Sequence, residues 1–382
     1  MRAIGALAML AAVGCGAPEG GETLQARLSL VETLAGTDTV GYARALEPRA
    51  FDFPVDHGPH PAFRTEWWYV TGNLTSEAGR EFGFQFTIFR NALSPTAPES
   101  PSAWATNQAY MGHFTVTDVE GRRFYAYERF ARGAVGLAGA QAEPLRVWLE
   151  DWTLEAAAPQ AFPLRLEARD DDVALRLDLA AGKPSVLQGD RGLSQKGPEP
   201  GNASYYYAHT RLPASGTLAV GGDTLRVTGT AWLDREWSTS ALSEGQVGWD
   251  WFALQLDDGW DLMIYRLRRA DGSADALSDG VLVDPDGVRV PLDWGADVTM
   301  EPTGSWTSPI DGAVYPSGWH ITVPGRGWDL TVEPRLSNQE LDVSFRYWEG
   351  AVAVGGVGEG GAVVAGSGYV ELTGYAGEPT RP

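Results

Sequence analysis

Four of the carboxylates that lie close to tryptophans in this chain stand out as candidates for chemistry. Glu66 precedes Trp67 and Trp68, Asp234 and Glu236 lie between Trp232 and Trp237, and Asp250 is flanked by Trp249 and Trp251. A carboxyl group withdrawn from water among aromatic rings holds its proton more tightly and becomes a proton donor near neutral pH. Aromatic faces attract the positive charge that such a donation creates. These residue types therefore suit acid chemistry at the wall of an apolar cavity. The competing reading is structural. Buried charges are normally paired, and Arg90, Arg211 and Arg266 are available as partners. Acids repeated at matching positions are also what a fold-determining contact looks like.

The segments that carry these acids read as strands. TEWWYVTGNL (residues 65–74) and GWDWFALQLDDG (residues 248–259) are rich in aromatic and β-branched residues. Hairpins are expected from 66–75 and 81–90, from 112–117 and 122–127, and from 162–168 and 173–179, each pair split by Asp- or Gly-containing turn residues. Along residues 82–89, Phe82, Phe84, Phe86 and Ile88 point one way, and Gly83, Gln85 and Thr87 the other. Trp251, Ala253 and Gln255 likewise oppose Phe252, Leu254 and Leu256. Both faces carry bulk, so one packs against a partner barrel or lines a pocket. Asp257-Asp258-Gly259 reads as a hairpin turn.

The second half repeats the first in order. EWWYVTGNL and FGFQFTIFR answer WDWFALQLDDGWDLMIYR, which sets Glu66-Trp67-Trp68-Tyr69 against Trp249-Asp250-Trp251-Phe252. VTDVEGRR answers VDPDGVR, and a Trp-containing strand follows in each half, at residues 148–154 and 319–323. GTAWLDRE answers GSGYVELT, placing Trp232 on Tyr369 and Asp234 on Glu371. Sequential hairpins in a duplicated unit of this length fit up-and-down barrels, which remove their own edges. The expected fold class is all-β: two tandem antiparallel β-barrels packed together, at residues 51–238 and 239–382, after a leader at 1–15 and a tether with a short helix at 16–50, the helix within 24–46.

Composition excludes some partners. With 29 basic against 50 acidic residues and a formal net charge of -21, the chain lacks the basic face that nucleic acid requires. Cys15 is the single cysteine, and it ends a short apolar segment behind Arg2. Ala12-Val13-Gly14-Cys15 resembles a bacterial lipobox, so a cleaved signal peptide and a lipid anchor on Cys15 are expected. The residues after Cys15 point to the outer membrane, facing the periplasm. Among five histidines, only His57 and His60 are close in sequence, and two ligands on a Pro/Gly loop make no metal site. Neither a metal nor any other cofactor is expected. The glycines at 356–361 fit a dinucleotide pattern formally, but no helix follows them. A GxSxG elbow, an HExxH motif and a P-loop are all missing.

Several phrases carry a family likeness: DHGPHPAFRTEWWYVTGNL, FQFTIFR, WATNQAYMGHFTVTD, ASYYYAHTR, GTAWLDREWS, GWDWFALQLDDGWDLMIYRLR, YWEG and GYVELTGY. They run in order from about residue 56 to 375, and in them the chain resembles the lipocalin-like family that includes carotenoid 1,2-hydratases and the AttH proteins. The resemblance implies two lipocalin-like barrels around an apolar cleft that takes an isoprenoid, polyene or lipid. It also implies a choice between binding such a ligand and hydrating, isomerising or cyclising it. A third implication is an accessory role beside an ABC-type export permease. The catalytic candidates are Asp234, Glu236, Asp250 and Glu66. The ligand-binding candidates are Trp68, Gln85, Arg90, Gln108, His113, Tyr206, Trp237 and Trp251. Tyr205–Tyr207 reads either as a lid over a barrel mouth or as a strand in the seam between barrels.

Overall fold

Alternating side chains build the framework. The strands Thr65–Ser76 and Glu81–Ala92 pair as a hairpin, with Gly79 taking the left-handed turn position (φ 85°). Phe84, Phe86 and Ile88 on one face are fully buried in the first core, and each stabilises it by about 1.5–3 kcal/mol. The computed structural model describes residues 39–158, 161–239 and 242–376. The expected leader, Cys15 and most of the tether lie outside the described residues. Of the expected helix within 24–46, residues 39–46 are described, and they form a turn and irregular chain.

Hydrogen bonding runs through a 13-stranded antiparallel sheet from Thr65–Ser76 to Asp223–Ser238, and through a 10-stranded sheet from Gln246–Leu256 to Val363–Leu372. In each, the first strand pairs with the last, so the sheet curls around its own apolar core. The architecture is the expected one, all-β with two lipocalin-like barrels packed together. No helix among the described residues is long and apolar enough to cross a membrane.

One expected strand is two. Residues 148–154 form a hairpin of Arg146–Leu149 and Trp152–Ala156. Glu150 takes φ 58° at the turn, which lets Val147, Leu149, Trp152 and Leu154 all face the core. Tyr205–Tyr207 belongs to a long strand, Ala203–Val220, not to a lid. Tyr206 faces the seam between the barrels, while Tyr205 and Tyr207 face the first barrel's end cluster.

The outward face of each barrel meets the other. A Cβ on Gly83 would lie 2.4 Å from the Ala351 Cβ, so only glycine lets the two sheets approach here. Buried Asp261 of the second barrel accepts hydrogen bonds from Thr210 (2.7 Å) and Arg211 (2.6 and 2.9 Å) of the first, and Lys183 lies 2.8 Å away. Trp232, Tyr206, Trp251, Met263 and Tyr369 pack together between the barrels.

Candidate active site

The strand Asp223–Ser238 presents Trp232, Asp234 and Glu236 to the seam, because every second residue shares a face. Thr65–Ser76 contributes Trp67 and Tyr69 on the same principle, and Gln246–Leu256 contributes Trp249 and Trp251. Tyr265, Tyr347 and Glu371 come from three further strands of the second barrel, Asp261–Arg269, Tyr347–Val357 and Val363–Leu372. Together with Tyr206, Lys196 and Leu242 they surround a cavity of about 90 Å3. Trp67, Lys196, Leu242, Trp249 and Glu371 are the half-buried members of this wall, and the first four mark its mouth.

Asp234 is buried in that wall and touches no cation. Tyr206 donates to Oδ2 and Trp232 Nε1 donates to Oδ1, each at 2.6 Å. Among the described residues, none forms an ion pair with it. Burial raises its pKa to about 7. The two hydrogen bonds and Lys196 pull it down, and the Glu236 charge pushes it up. Glu236 has the lysine instead: Lys196 Nζ lies 3.6 Å from its carboxylate and 4.3 Å from the Tyr265 ring centroid. Glu371 and Glu349 are direct cross-strand neighbours; Glu349 is fully buried and Glu371 half-buried at the cavity wall. Desolvation pushes both above the usual carboxylate range, Glu371 to about 8, and the Glu371 charge adds to the rise of Glu349, so both carboxyl groups hold protons at neutral pH. Tyr69 donates to Glu349.

The other two acid candidates lie elsewhere. Glu66 points into the first barrel, where Arg90 and Arg235 clamp it and the His60 backbone N–H donates to it at 3.0 and 3.1 Å. Burial would raise its pKa, but the two guanidinium groups outweigh that and hold it far below the usual range. Asp250 points into the second barrel, between Arg266 (2.5 Å), Arg268 (3.1 Å) and the Tyr375 hydroxyl (2.9 Å). Neither lines the cavity. The arginine-paired reading describes these two; the acid-at-the-wall reading describes Asp234.

Among the ligand-binding candidates, Tyr206 and Trp251 line the cavity. Trp68 lies beneath the Arg235 guanidinium in the first barrel (3.9 Å), and Trp237 stacks on His60 (3.7 Å). Arg90 serves Glu66, and Gln108 accepts from Arg90 at 2.6 Å. Gln85 is buried in the seam beyond the cavity and donates to Thr87 at 2.5 Å. His113 sits one layer behind the wall, against Tyr347. Lys196, Tyr69, Tyr265, Tyr347 and Glu371 are wall residues outside the sequence-derived set, although the repeat had matched Glu371 to Asp234.

Register explains the misplacements. Tyr69 pairs with Asp234, and Trp251 pairs with Glu371. Tyr69 is therefore the counterpart of Trp251, one residue away from the match to Phe252 that the similar letters suggest. A one-residue slip reverses the face, sending Glu66 and Asp250 indoors and Tyr69 and Trp251 to the cavity. Among the described residues, no group of three His, Cys, Asp or Glu side chains is arranged to hold a metal ion.

Known proteins share this architecture. A family model described as AttH-like matches residues 44–375. The crystal structure of an AttH protein from Nitrosomonas europaea is 35% identical, with a TM-score of 0.76, covering 87% of this chain and 100% of that one. Kievitone hydratase from Nectria haematococca is similar in fold at 15% identity, with a TM-score of 0.64 over 87% of this chain and 97% of its own. CghA is similar in fold at 14% identity, with a TM-score of 0.51 over 93% and 99%. No curated protein matches the sequence.

Proposed function

The chain belongs to the AttH-like family, and from that premise we propose that it binds an unsaturated hydrophobic molecule in the seam cavity and adds a proton, then water, to it. One observation carries this reading: Asp234 is a cation-free carboxyl group in an aromatic wall, with burial holding its pKa at about 7. The Asp234 O–H gives its proton to one alkene carbon, forming a C–H bond and leaving a cation on the other carbon. The faces of Trp251 and Tyr265 stabilise that cation. A water oxygen then bonds to the cationic carbon, and its surplus proton returns to the Asp234 carboxylate. Catalyst and charge are restored. Kievitone hydratase, a fold relative, carries the name of such a reaction.

A cavity of about 90 Å3 takes the reacting end of a ligand. The rest of an isoprenoid, polyene or lipid chain would pass the mouth at Leu242 and Trp249. Binding without turnover is the second reading, and a specific contact favours it: both Asp234 oxygens already accept hydrogen bonds within the wall.

Two measurements separate the readings. Native mass spectrometry of protein purified from its own host is expected to show a co-purified hydrophobic compound. Incubating that compound with the protein in oxygen-labelled water is expected to yield the labelled alcohol. Binding without label incorporation would leave the carrier reading standing, and no bound compound would remove both. The proposal places this unit at a bacterial envelope surface through a lipid on Cys15, supported by Ala12-Val13-Gly14-Cys15. There it would act alone or beside an export permease. Intact-mass analysis of the native protein should show acylation at Cys15, and Cys15→Ala should release the protein from membranes.

A further inference from the structure

Glu349 does not line the cavity. It lies behind Tyr69 and Tyr347, which do, and so is screened from the mouth. Its Oε1 accepts from Tyr69, while its Oε2 is buried without a hydrogen-bond partner. The Tyr347 hydroxyl, beside this carboxyl group, makes its hydrogen bond to His113 Nδ1 at 2.7 Å instead. His113 Nε2 reaches Glu128 Oε1 at 3.1 Å. Glu128 stands beside His113 on the same outer face of the first barrel, at the rim of the seam, with a side chain 11% exposed, and its other oxygen accepts from the Ser344 backbone N–H of the second barrel at 3.1 Å. The groups are drawn from three strands: His113 from Gln108–Asp118, Glu128 from Arg123–Arg132, and Tyr347 and Glu349 from Tyr347–Val357. Phe89 and Phe345 close over the His113 ring, with centroids 5.9 and 6.5 Å away.

We infer that Glu349, Tyr347, His113 and Glu128 form a proton relay that connects Glu349, behind the cavity wall, to solvent along the seam between the barrels. One donor direction satisfies every link. Glu349 Oε2, left without a partner, lies beside the Tyr347 hydroxyl and can hand it a proton, Tyr347 donates to His113 Nδ1, and His113 donates from Nε2 to the Glu128 carboxylate. A concerted shift moves Glu349's proton to Tyr347, Tyr347's to Nδ1, and the Nε2 proton to Glu128. The reverse shift reloads Glu349 from Glu128. Each O–H or N–H bond broken is matched by one formed, and no other reactant is needed. The use of the relay rests on the proposed acid chemistry: it would reload Glu349, the cross-strand neighbour of the wall residue Glu371, after each cycle. His113 and Glu128 are positioning residues in this scheme, since they touch no ligand, whereas Tyr347 also lines the cavity.

The test needs no ligand, so its failure and that of the proposed hydration are separable. The carbonyl stretch of a buried carboxylic acid shifts on transfer to heavy water, and infrared spectroscopy follows the exchange in the full protein. Glu349→Gln should delete one such band and so assign it. His113→Gln should retain that band and slow its exchange by about tenfold or more. The Asp234 band, assigned by Asp234→Asn, should exchange at an unchanged rate through the mouth. Loosened packing would accelerate exchange, so slowing separates a relay from a structural role. If His113→Gln does not fold, Glu128→Gln at the outer end provides the same measurement. Wild-type exchange rates in the variants, or no band lost in Glu349→Gln, would overturn the relay.

Discussion

The Glu66 and Asp234 carboxyl groups are both almost completely buried, and they stand on paired neighbouring strands. Glu66 faces two guanidinium groups and is held as an anion. Asp234 faces a tyrosine hydroxyl, an indole N–H and aromatic rings, and burial holds its pKa near 7. Burial alone therefore does not set a carboxyl group's charge state in this fold. The partners do, and the partners follow from which side of a strand the acid occupies.

The most disruptive way to challenge that contrast is to remove a cation. Arg235→Met leaves Glu66 short of one partner and frees the carbonyls of Gly58 and Trp67. Breaking a buried pair from one side is expected to cost about 3–5 kcal/mol in a urea unfolding curve. Asp234→Asn carries no such penalty, and its unfolding free energy near pH 4, where Asp234 is as neutral as the amide, should change by less than about 1 kcal/mol. Its effect falls on turnover, which should drop by about 10²–10⁴-fold with ligand binding retained. Equal loss of binding and turnover would return Asp234 to a structural role.

The pH dependence sharpens the same contrast. The Asp234 pKa is raised on folding, so its stabilising contribution is complete below about pH 4 and is lost as pH rises towards about 7. Across that window, wild type should lose stability relative to Asp234→Asn by up to about 1.4 kcal/mol per pH unit. The Glu66 pKa is lowered on folding. Its contribution is present above the unfolded value of about 4.5 and is lost as the solution becomes more acid. Wild type and Asp234→Asn titrating in parallel from pH 4 to 7 would defeat the assignment. The seam itself is tested by Gly83→Val, which forces the sheets apart at Ala351 and should cost about 1–3 kcal/mol. It should also weaken ligand binding while the Glu66 cluster stays intact.

Much of this was legible from residue order. The alternation in residues 82–89 correctly sorted core from seam, because a strand's period of two is local and steric. The repeat correctly matched Asp234 with Glu371, and both reach the cavity. The same repeat mismatched Tyr69 with Phe252, because similar aromatic letters hid a one-residue offset that only hydrogen-bond register reveals. Lys196 carried no local signal, and Tyr347 only its place in the YWEG phrase. Each reaches the site from a distant segment, and its neighbours in sequence do not say which barrel face it will meet.

All-β architecture, duplication and acids set among tryptophans were determined by the sequence itself, since hydrophobic period and turn chemistry act between near neighbours. The charge on each acid was decided by tertiary structure. Glu66 receives Arg235 from 169 residues away, and the His113 of one barrel meets the Tyr347 of the other. A carboxyl group's pKa depends on the charges and donors within a few ångströms of it, and in a two-barrel fold most of those arrive from elsewhere in the chain.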